Sequence, residues 1–375
     1  MRAAGTVSYL PQVDAAAAEA LLAAEQLIAD QHYADADAAL DDLAFSVETE
    51  PRLALRALFA HSWARMYLGR LQPAVAQLEQ ARALADSSPD FSDLDRAECL
   101  FRLGCCRLKL SEVTNAVSLF TVALDLCDRS TLGCDRLRAR ALEWRSRCYQ
   151  RQRDFDAART DAERSLELAV GVGDSQRAAD AYFQASLVAE RTGQWLLARF
   201  YGEEARSLYD EAVDRVSVAR LLNNLGGIDF LLGNVDQAVA QLKQSISLSL
   251  EAGSDADAAQ AINSLAQIHL RTGDAPLAEE QARHALRMLE GRLDFVAETA
   301  NAELVLGRAL VAQSRFEEAA EAFSAAEDSC VRLDSVSQRA AVWVAMGDLA
   351  AARKDPTAAA EQYRRAAESL QDFHF

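Results

Sequence analysis

The seven cysteines are the residues of this 375-residue chain with the most obvious potential for metal or redox chemistry. Six of them fall in one region of the sequence: Cys99, Cys105, Cys106, Cys127, Cys134 and Cys148. The region contains no C-x-x-C pair, although ligand pairs spaced in that way are typical of structural zinc sites. Free cysteine within a helix commonly behaves as a small buried hydrophobic residue. We therefore interpret these cysteines as packing residues and predict no metal site.

Neither the histidines nor the glycines form a catalytic pattern. The five histidines are scattered, and none belongs to an H-E-x-x-H pair. The stretch 221-LLNNLGG-227 is rich in glycine and asparagine, but no convincing strand precedes it, as a phosphate-binding loop would require. Acidic pairs such as Glu203/Glu204 lie on amphipathic helices, where a solvent-facing role is favoured. The sequence therefore predicts no catalytic residues, no cofactor and no enzyme activity.

Composition narrows the class of protein further. Half of the residues are apolar, and only 6 are proline and 16 glycine, which is typical of an all-helical protein. The net charge of −18 repels the phosphates of nucleic acids and anionic membranes. No segment approaches the roughly 20 apolar residues of a membrane-spanning helix, and the N-terminus does not resemble a signal peptide. We expect a cytoplasmic protein that contacts neither nucleic acid nor membrane directly.

An alanine-centred motif recurs nine times at a spacing of about 40 residues. Each copy consists of an apolar-periodic helix, a short turn and a second helix that carries the anchor alanine. A small residue stands seven positions after the anchor in eight of the nine copies. The anchors are Ala36, Ala74, Ala116, Ala158, Ala198, Ala238, Ala278, Ala319 and Ala359.

This pattern resembles the tetratricopeptide repeat over essentially the whole chain. One copy has Leu225-Gly226 in its first helix, Gly233-Asn234 at its turn, and Ala238 and Ser245 in its second helix. The long repeat is similar to those of kinesin light chain, Leu-Gly-Asn-rich adaptors of G-protein signalling and bacterial peptide-sensing regulators. The resemblance implies an all-α, right-handed α-α superhelical solenoid of about nine helix pairs. We expect an N-terminal arm at residues 1–13 and one solenoid over residues 14–375.

Tetratricopeptide proteins usually bind their partners in a concave groove on the inner face of the first helices. The resemblance places on this face the residues that lie 18, 15, 11, 8 and 7 positions before each anchor. Applied to the fourth to eighth repeats, it implies partner contacts from Arg140, Glu143, Arg147, Arg151, Phe183, Arg191, Arg220, Asn223, Phe230, Gln260, Asn263, Gln267, Arg271, Asn301 and Arg308.

Seven of these fifteen residues are arginine, although the chain is acidic as a whole. Arginine forms bidentate bonds to carboxylates, and asparagine can bond both main-chain groups of an extended peptide. The set therefore suits an acidic peptide segment or a C-terminal carboxylate. The alternative is that the arginines pair with acidic side chains of adjacent helices, since surface ion pairs are common.

The favoured function is a non-enzymatic module that binds a protein or peptide, in a bacterial regulatory or adaptor protein. A second hypothesis is the sensor half of a transcription regulator whose DNA-binding domain is absent from this chain, because only about a dozen residues precede the first repeat helix. A third is a self-assembling scaffold, in which Phe373 and Phe375 could dock on a second copy and form a homodimer through the terminal repeats. Fold alone does not separate these hypotheses.

Overall fold

A computed structural model describes residues 15–30, 32–41, 43, 50–130, 133–212, 214–292, 295–333 and 335–371. The expected arm at residues 1–13 and the expected contacts of Phe373 and Phe375 lie outside this range. All regular secondary structure within it is helical. The chain divides into two compact units, Met1–Val188 (unit 1) and Ala189–Phe375 (unit 2), which are described separately.

Eighteen helices are present in the described residues, and they confirm the predicted all-α repeat fold. Odd-numbered helices are the first helices of the repeats, and even-numbered helices are the second. In chain order they are α1 (Ala15–Ala29), α2 (Tyr33–Asp41), α3 (Pro51–Tyr67), α4 (Leu71–Ser87), α5 (Asp93–Lys109), α6 (Val113–Arg129), α7 (Asp135–Arg151), α8 (Phe155–Val172), α9 (Ser175–Arg191), α10 (Trp195–Ala212), α11 (Arg215–Leu231), α12 (Val235–Glu251), α13 (Asp255–Arg271), α14 (Ala275–Met288), α15 (Val296–Ala312), α16 (Phe316–Arg332), α17 (Val336–Ala352) and α18 (Pro356–Gln371).

The anchor alanines explain how each helix pair closes. Every second helix begins three residues before its anchor, and all nine anchors are buried. The small residue seven positions later is also buried wherever it occurs. Where that residue is serine, its hydroxyl donates to a carbonyl of the first helix, as Ser245 does to Ala219 at 2.6 Å. Small side chains thus allow the two helices to pack closely.

Gly226 and Gly227 are adjacent in α11 but have different roles. A Cβ atom on Gly226 would lie 2.8 Å from Cγ of Leu242 and 3.2 Å from the Ala238 carbonyl oxygen, so this glycine is required for close packing of α11 on α12. A Cβ atom on Gly227 would meet nothing within 4 Å. The helix pair therefore needs only the first of these glycines.

The turn between the helices of a pair has one backbone requirement. The residue five positions before the anchor has φ between 60° and 89° in all eight described copies, whether it is glycine or not. In the sixth repeat it is Gly233, and the next residue, Asn234, donates its N–H to the Asp229 carbonyl at 2.8 Å. This bond closes the Schellman motif that commonly ends a helix. The left-handed conformation explains why glycine recurs there.

First helices of successive repeats contact one another within each unit. In unit 1 α3 contacts α5 and α5 contacts α7, and in unit 2 the contacts run from α11 through α13 and α15 to α17. The side chains on this side of the first helices form what we call the first-helix face of each unit. No helix in the described residues is both long enough and apolar enough to span a bilayer.

Candidate functional site

The first-helix face of unit 1 is occupied by its own side chains. The Arg102 guanidinium lies 4.8 Å from the ring centroid of Trp63, and that of Arg140 lies 4.3 Å from the ring of Phe101. Both arginines also bind Glu98, at 2.6 Å from Arg102 Nε and 3.4 Å from Arg140 Nη1. Burial acts to raise the pKa of Glu98, but Arg140 and Arg102 hold it below its ordinary value. The result is a closed stack of cations and aromatic rings.

The other predicted residues on this face are also bonded internally. Arg147 forms an ion pair with Glu143 and donates from Nε to Oε1 of Gln184 at 3.2 Å. Arg151 donates from Nη1 to the Leu108 carbonyl at 2.9 Å. Thus Arg140 pairs with an acid of a neighbouring first helix, Arg147 pairs with an acid of its own helix, and Arg151 binds a main-chain carbonyl of a neighbouring first helix.

The first-helix face of unit 2 contains a cavity of about 240 Å³. Gly227, with no side chain, leaves space between the ring of Phe230 and the side chains of α13. Arg271 lies at the edge, with its guanidinium carbon 5.8 Å from the Phe230 ring centroid. The lining residues are Glu190, Gly227, Phe230, Leu231, Leu242, Ser264, Gln267, Ile268 and Arg271. The cavity thus combines an apolar ring with amide, carboxylate and guanidinium groups.

Two asparagines on the same face have incomplete hydrogen bonding. Asn223 on α11 and Asn263 on α13 each bury Oδ1, and no donor in the described part of the chain reaches either oxygen. Asn263 is only 4% exposed, and its Nδ2 donates to the Glu298 carbonyl at 3.2 Å. A buried acceptor without a partner costs roughly 1–3 kcal/mol. The predicted asparagine positions therefore carry unused acceptors.

Of the four predicted arginines of unit 2, three have no carboxylate within 4 Å among the residues that the structure describes: Arg191, Arg271 and Arg308. Arg220, in contrast, pairs with Asp257 at 3.0 Å. Arg308 is half-buried, and burial lowers its pKa. The carboxylate of Asp348 acts to raise the pKa of Arg308, and the positive charge of Arg271 acts to lower it. The charges of Arg271 and Arg308 therefore interact. This region holds uncompensated positive charge in an acidic protein.

The remaining predicted residues are distributed as follows. Gln260 and Gln267 are exposed on α13, and Phe183 is half-buried in unit 1. Asn301 is exposed on α15 and accepts a bond from Gln338 at 3.4 Å. The prediction missed Asp348 because the register was not extended to the ninth repeat, where Asp348 lies 11 positions before the anchor. Extension to the second repeat would likewise have found Trp63.

A second cluster, Asp37, Asp41 and His61, places possible ligand atoms within 4.8 Å of one another. Arg65 donates to both carboxylates, at 3.0 Å to Asp37 and 2.6 Å to Asp41, and Arg70 also binds Asp37. The arginines already neutralise these groups, so the cluster is poorly suited to a cation. All seven cysteines are buried and none forms a disulfide, and burial raises the pKa of Cys148 to about 12.

Comparison with known proteins identifies the family. Tetratricopeptide repeat profiles match residues 137–211 and 217–291 in one case, and 263–335 and 304–372 in another. These matches together span more than half of the chain, which belongs to the tetratricopeptide repeat family, as the sequence predicted. No curated protein matches this sequence significantly.

Several solved structures are similar over nearly their full length. A Rap protein complexed with competence and sporulation factor is 14% identical with a TM-score of 0.69, covering 96% of this chain and 98% of that one. Aspartyl phosphate phosphatase F from Bacillus subtilis is 15% identical with a TM-score of 0.63, covering 98% and 96%. The Rap conjugation gene regulator of plasmid pLS20, in complex with the Phr* peptide, is 14% identical with a TM-score of 0.52, covering 84% and 94%. At these identities the likeness shows the fold alone.

Proposed function

We propose that this protein is a non-enzymatic regulatory module that binds an extended peptide or partner segment on the first-helix face of unit 2. The observation that carries the proposal is the pair of unused acceptors on Asn223 and Asn263, each about one helical turn before a residue that lines the cavity, Gly227 on α11 and Gln267 on α13. An extended peptide offers a main-chain N–H at almost every residue, which is the group these oxygens lack.

The surrounding charge favours an acidic ligand. Arg191, Arg271 and Arg308 have no carboxylate within 4 Å in the described residues, while the chain as a whole carries a net charge of −18. A basic ligand would be attracted to most of the protein surface, but an acidic one would be attracted chiefly to this region. The favoured ligand is therefore an extended segment with at least one carboxylate.

The comparisons are compatible with a regulator that responds to a peptide. One similar structure is named as a conjugation gene regulator in complex with the Phr* peptide, and another as a Rap protein complexed with competence and sporulation factor. A third is named as a phosphatase. We favour binding over catalysis for this chain because its candidate site offers unused hydrogen-bond acceptors and unpaired cations, which are recognition groups.

A random octapeptide library tests the proposal directly. Peptides retained on immobilised protein would be sequenced, resynthesised with a fluorescent label and titrated by fluorescence anisotropy. We expect Asn263→Ala to weaken binding about tenfold, since a hydrogen bond in a desolvated site contributes about 1 kcal/mol or more. Asn115→Ala is the matched control, because Asn115 is exposed on α6 in unit 1. The proposal fails if no peptide is retained, or if Asn223→Ala and Asn263→Ala bind as well as the wild type.

A further inference from the structure

Arg308 is the most unusual cation of the candidate site. It lies just before the last turn of α15 and not within it, where arginines often bind the free carbonyl groups of a helix end. It is half-buried, and no carboxylate in the described residues lies within 4 Å of it. A charge that loses hydration without gaining a partner is costly, which makes such a position unusual in a purely structural role.

Asp348, the acid that acts electrostatically on Arg308, is bound to another group. The hydroxyl of Tyr363 donates to Oδ1 of Asp348 at 2.7 Å. The Tyr363 ring packs against Gly347, where an added Cβ atom would overlap it, so α17 and α18 hold this tyrosine in place. Asp348 thus influences Arg308 from a distance but does not form an ion pair with it. No hydrogen bond or ion pair engages the Arg308 guanidinium in the described residues, so its N–H groups can donate to a ligand.

We propose that Arg308, with Arg271 beside it, binds a carboxylate of the peptide ligand and thereby fixes the register and direction of the peptide. This inference rests on the proposed function. Arginine presents two parallel N–H groups to a carboxylate, so it can select both the charge and the orientation of that group. The asparagines bind main-chain groups and carry no such selectivity. Arg308 is therefore the specificity-determining residue, and Asn223 and Asn263 provide general affinity.

The helix spacing predicts where the carboxylate stands in the peptide. Neighbouring packed helices lie about 8–10 Å apart, and an extended chain rises about 3.3 Å per residue, so one repeat corresponds to about three peptide residues. Arg308 is one repeat beyond Asn263 and four positions further along its helix, which adds an offset of about 6 Å. The carboxylate should lie about three to four residues from the residue bound by Asn263, on the side away from Asn223.

The carboxylate could belong to an aspartate or glutamate side chain or to the C-terminus of the peptide. An octapeptide library with a mixed background, in which aspartate is fixed at each position in turn, separates the two sources. Every library would be made with a free and with an amidated C-terminus. Binding of each would be measured by fluorescence anisotropy to the wild type, Arg308→Gln, and the control Arg364→Gln, whose guanidinium pairs with Glu361 and Glu368 of its own helix.

We expect the wild type and Arg364→Gln to prefer either one aspartate position or the free C-terminus by at least tenfold. Arg308→Gln should lose that preference and still bind the neutral peptides, which also shows that the variant is folded. Asp348→Asn should increase the preference severalfold, because it removes a competing anion. If Arg308→Gln keeps the preference, or if the wild type binds peptides with no carboxylate preference, this inference is wrong while the proposed function stands. If no peptide binds, the proposed function fails and the inference fails with it.

Discussion

The first-helix faces of the two units are built on the same repeat register but differ in what fills them. In unit 1, Arg102 and Arg140 lie over the rings of Trp63 and Phe101, and both arginines form ion pairs with Glu98. In unit 2 the corresponding face has a cavity, unused asparagine acceptors and arginines without carboxylate partners in the described residues. The scaffold determines which positions share a face, and side-chain volume and charge pairing determine whether that face is available to a ligand.

The largest expected effect comes from breaking the ion pairs of unit 1. Glu98→Gln should reduce the free energy of unfolding by about 3 kcal/mol, because two partly buried arginines lose their common anion. Arg308→Gln in unit 2 should change it by less than about 0.5 kcal/mol, or increase it, because no ion pair is lost. Urea denaturation followed by circular dichroism measures both variants.

This pair of variants is a direct test of the contrast between the units. Equal losses of stability in the two variants would mean that Arg308 has an internal partner, and the unit 2 face would then be as closed as that of unit 1. Arg364→Gln serves as the control for removal of an exposed arginine.

Substitutions of the two adjacent glycines of α11 should have different effects, because Gly226 is needed for helix packing and Gly227 lines the cavity. Gly226→Ala should destabilise the protein by about 1–3 kcal/mol, because the new methyl group would press on Leu242 and on the Ala238 carbonyl. Gly227→Ala should stabilise it by up to about 1 kcal/mol through improved helix propensity. The same Gly227 variant should weaken peptide binding, since the methyl group enters the cavity. Thermal melts and anisotropy titrations on both proteins would show whether stability and binding change in these opposite directions.

A smaller effect is expected at the interhelix turns, and it should be alike in both units. Arg153 in unit 1 and Ser314 in unit 2 occupy the left-handed backbone position with φ of 63° and 60°. Because this conformation costs a non-glycine residue about 1–2 kcal/mol, Arg153→Gly and Ser314→Gly should each stabilise the protein by about 1 kcal/mol or less. Gly233→Ala should have the opposite sign. A loss of stability in both Arg153→Gly and Ser314→Gly would contradict the left-handed backbone conformation of this turn position.

The repeat fold was predictable because the sequence contains nine imperfect copies of the same helix pair. A single motif around Ala238 is weak, but the same small residues in phase at every anchor fix the helix pairs and their turns. The sequence shows that polar residues such as Ser111 and Lys354 stand at the turn position in some repeats, but it does not explain them. Only the backbone shows that they adopt the conformation of the glycines they replace.

The candidate site was predictable only in part. The register placed Arg140, Arg220 and Arg308 on the same face of the first helices, but it did not distinguish paired from unpaired side chains. Arg140 meets Glu98, which is 42 residues away, and Arg220 meets Asp257, which is 37 residues away. Such partners come from neighbouring repeats and depend on side-chain rotamers, which spacing along one helix does not determine.

The two units should respond differently to acid, because the pKa values of one glutamate in each unit are shifted in opposite directions. In unit 1 the pKa of Glu98 is lowered, because Arg140 and Arg102 together outweigh burial. Its contribution to stability is therefore present above the ordinary glutamate pKa of about 4.3 and is lost as the pH falls through its lower folded-state pKa. In unit 2 burial raises the pKa of Glu303, although Ser329 donates to it at 2.9 Å. Ionised Glu303 therefore destabilises the folded state at neutral pH, and this cost disappears as the pH falls through its raised pKa.

Unfolding free energies measured from pH 7 to pH 3.5 for the wild type, Glu98→Gln and Glu303→Gln would resolve these contributions. The deficit of Glu98→Gln relative to the wild type should persist to about pH 4.5 and close only below it, since the unfolded-state value is about 4.3. The difference between Glu303→Gln and the wild type should instead shift in favour of the wild type as the pH falls from 7 toward 4.5, because protonation relieves the wild type alone. Parallel pH profiles for the two variants would contradict the opposite shifts. The ion pairs of Glu98 in unit 1 would then be no more sensitive to acid than the surroundings of Glu303 in unit 2.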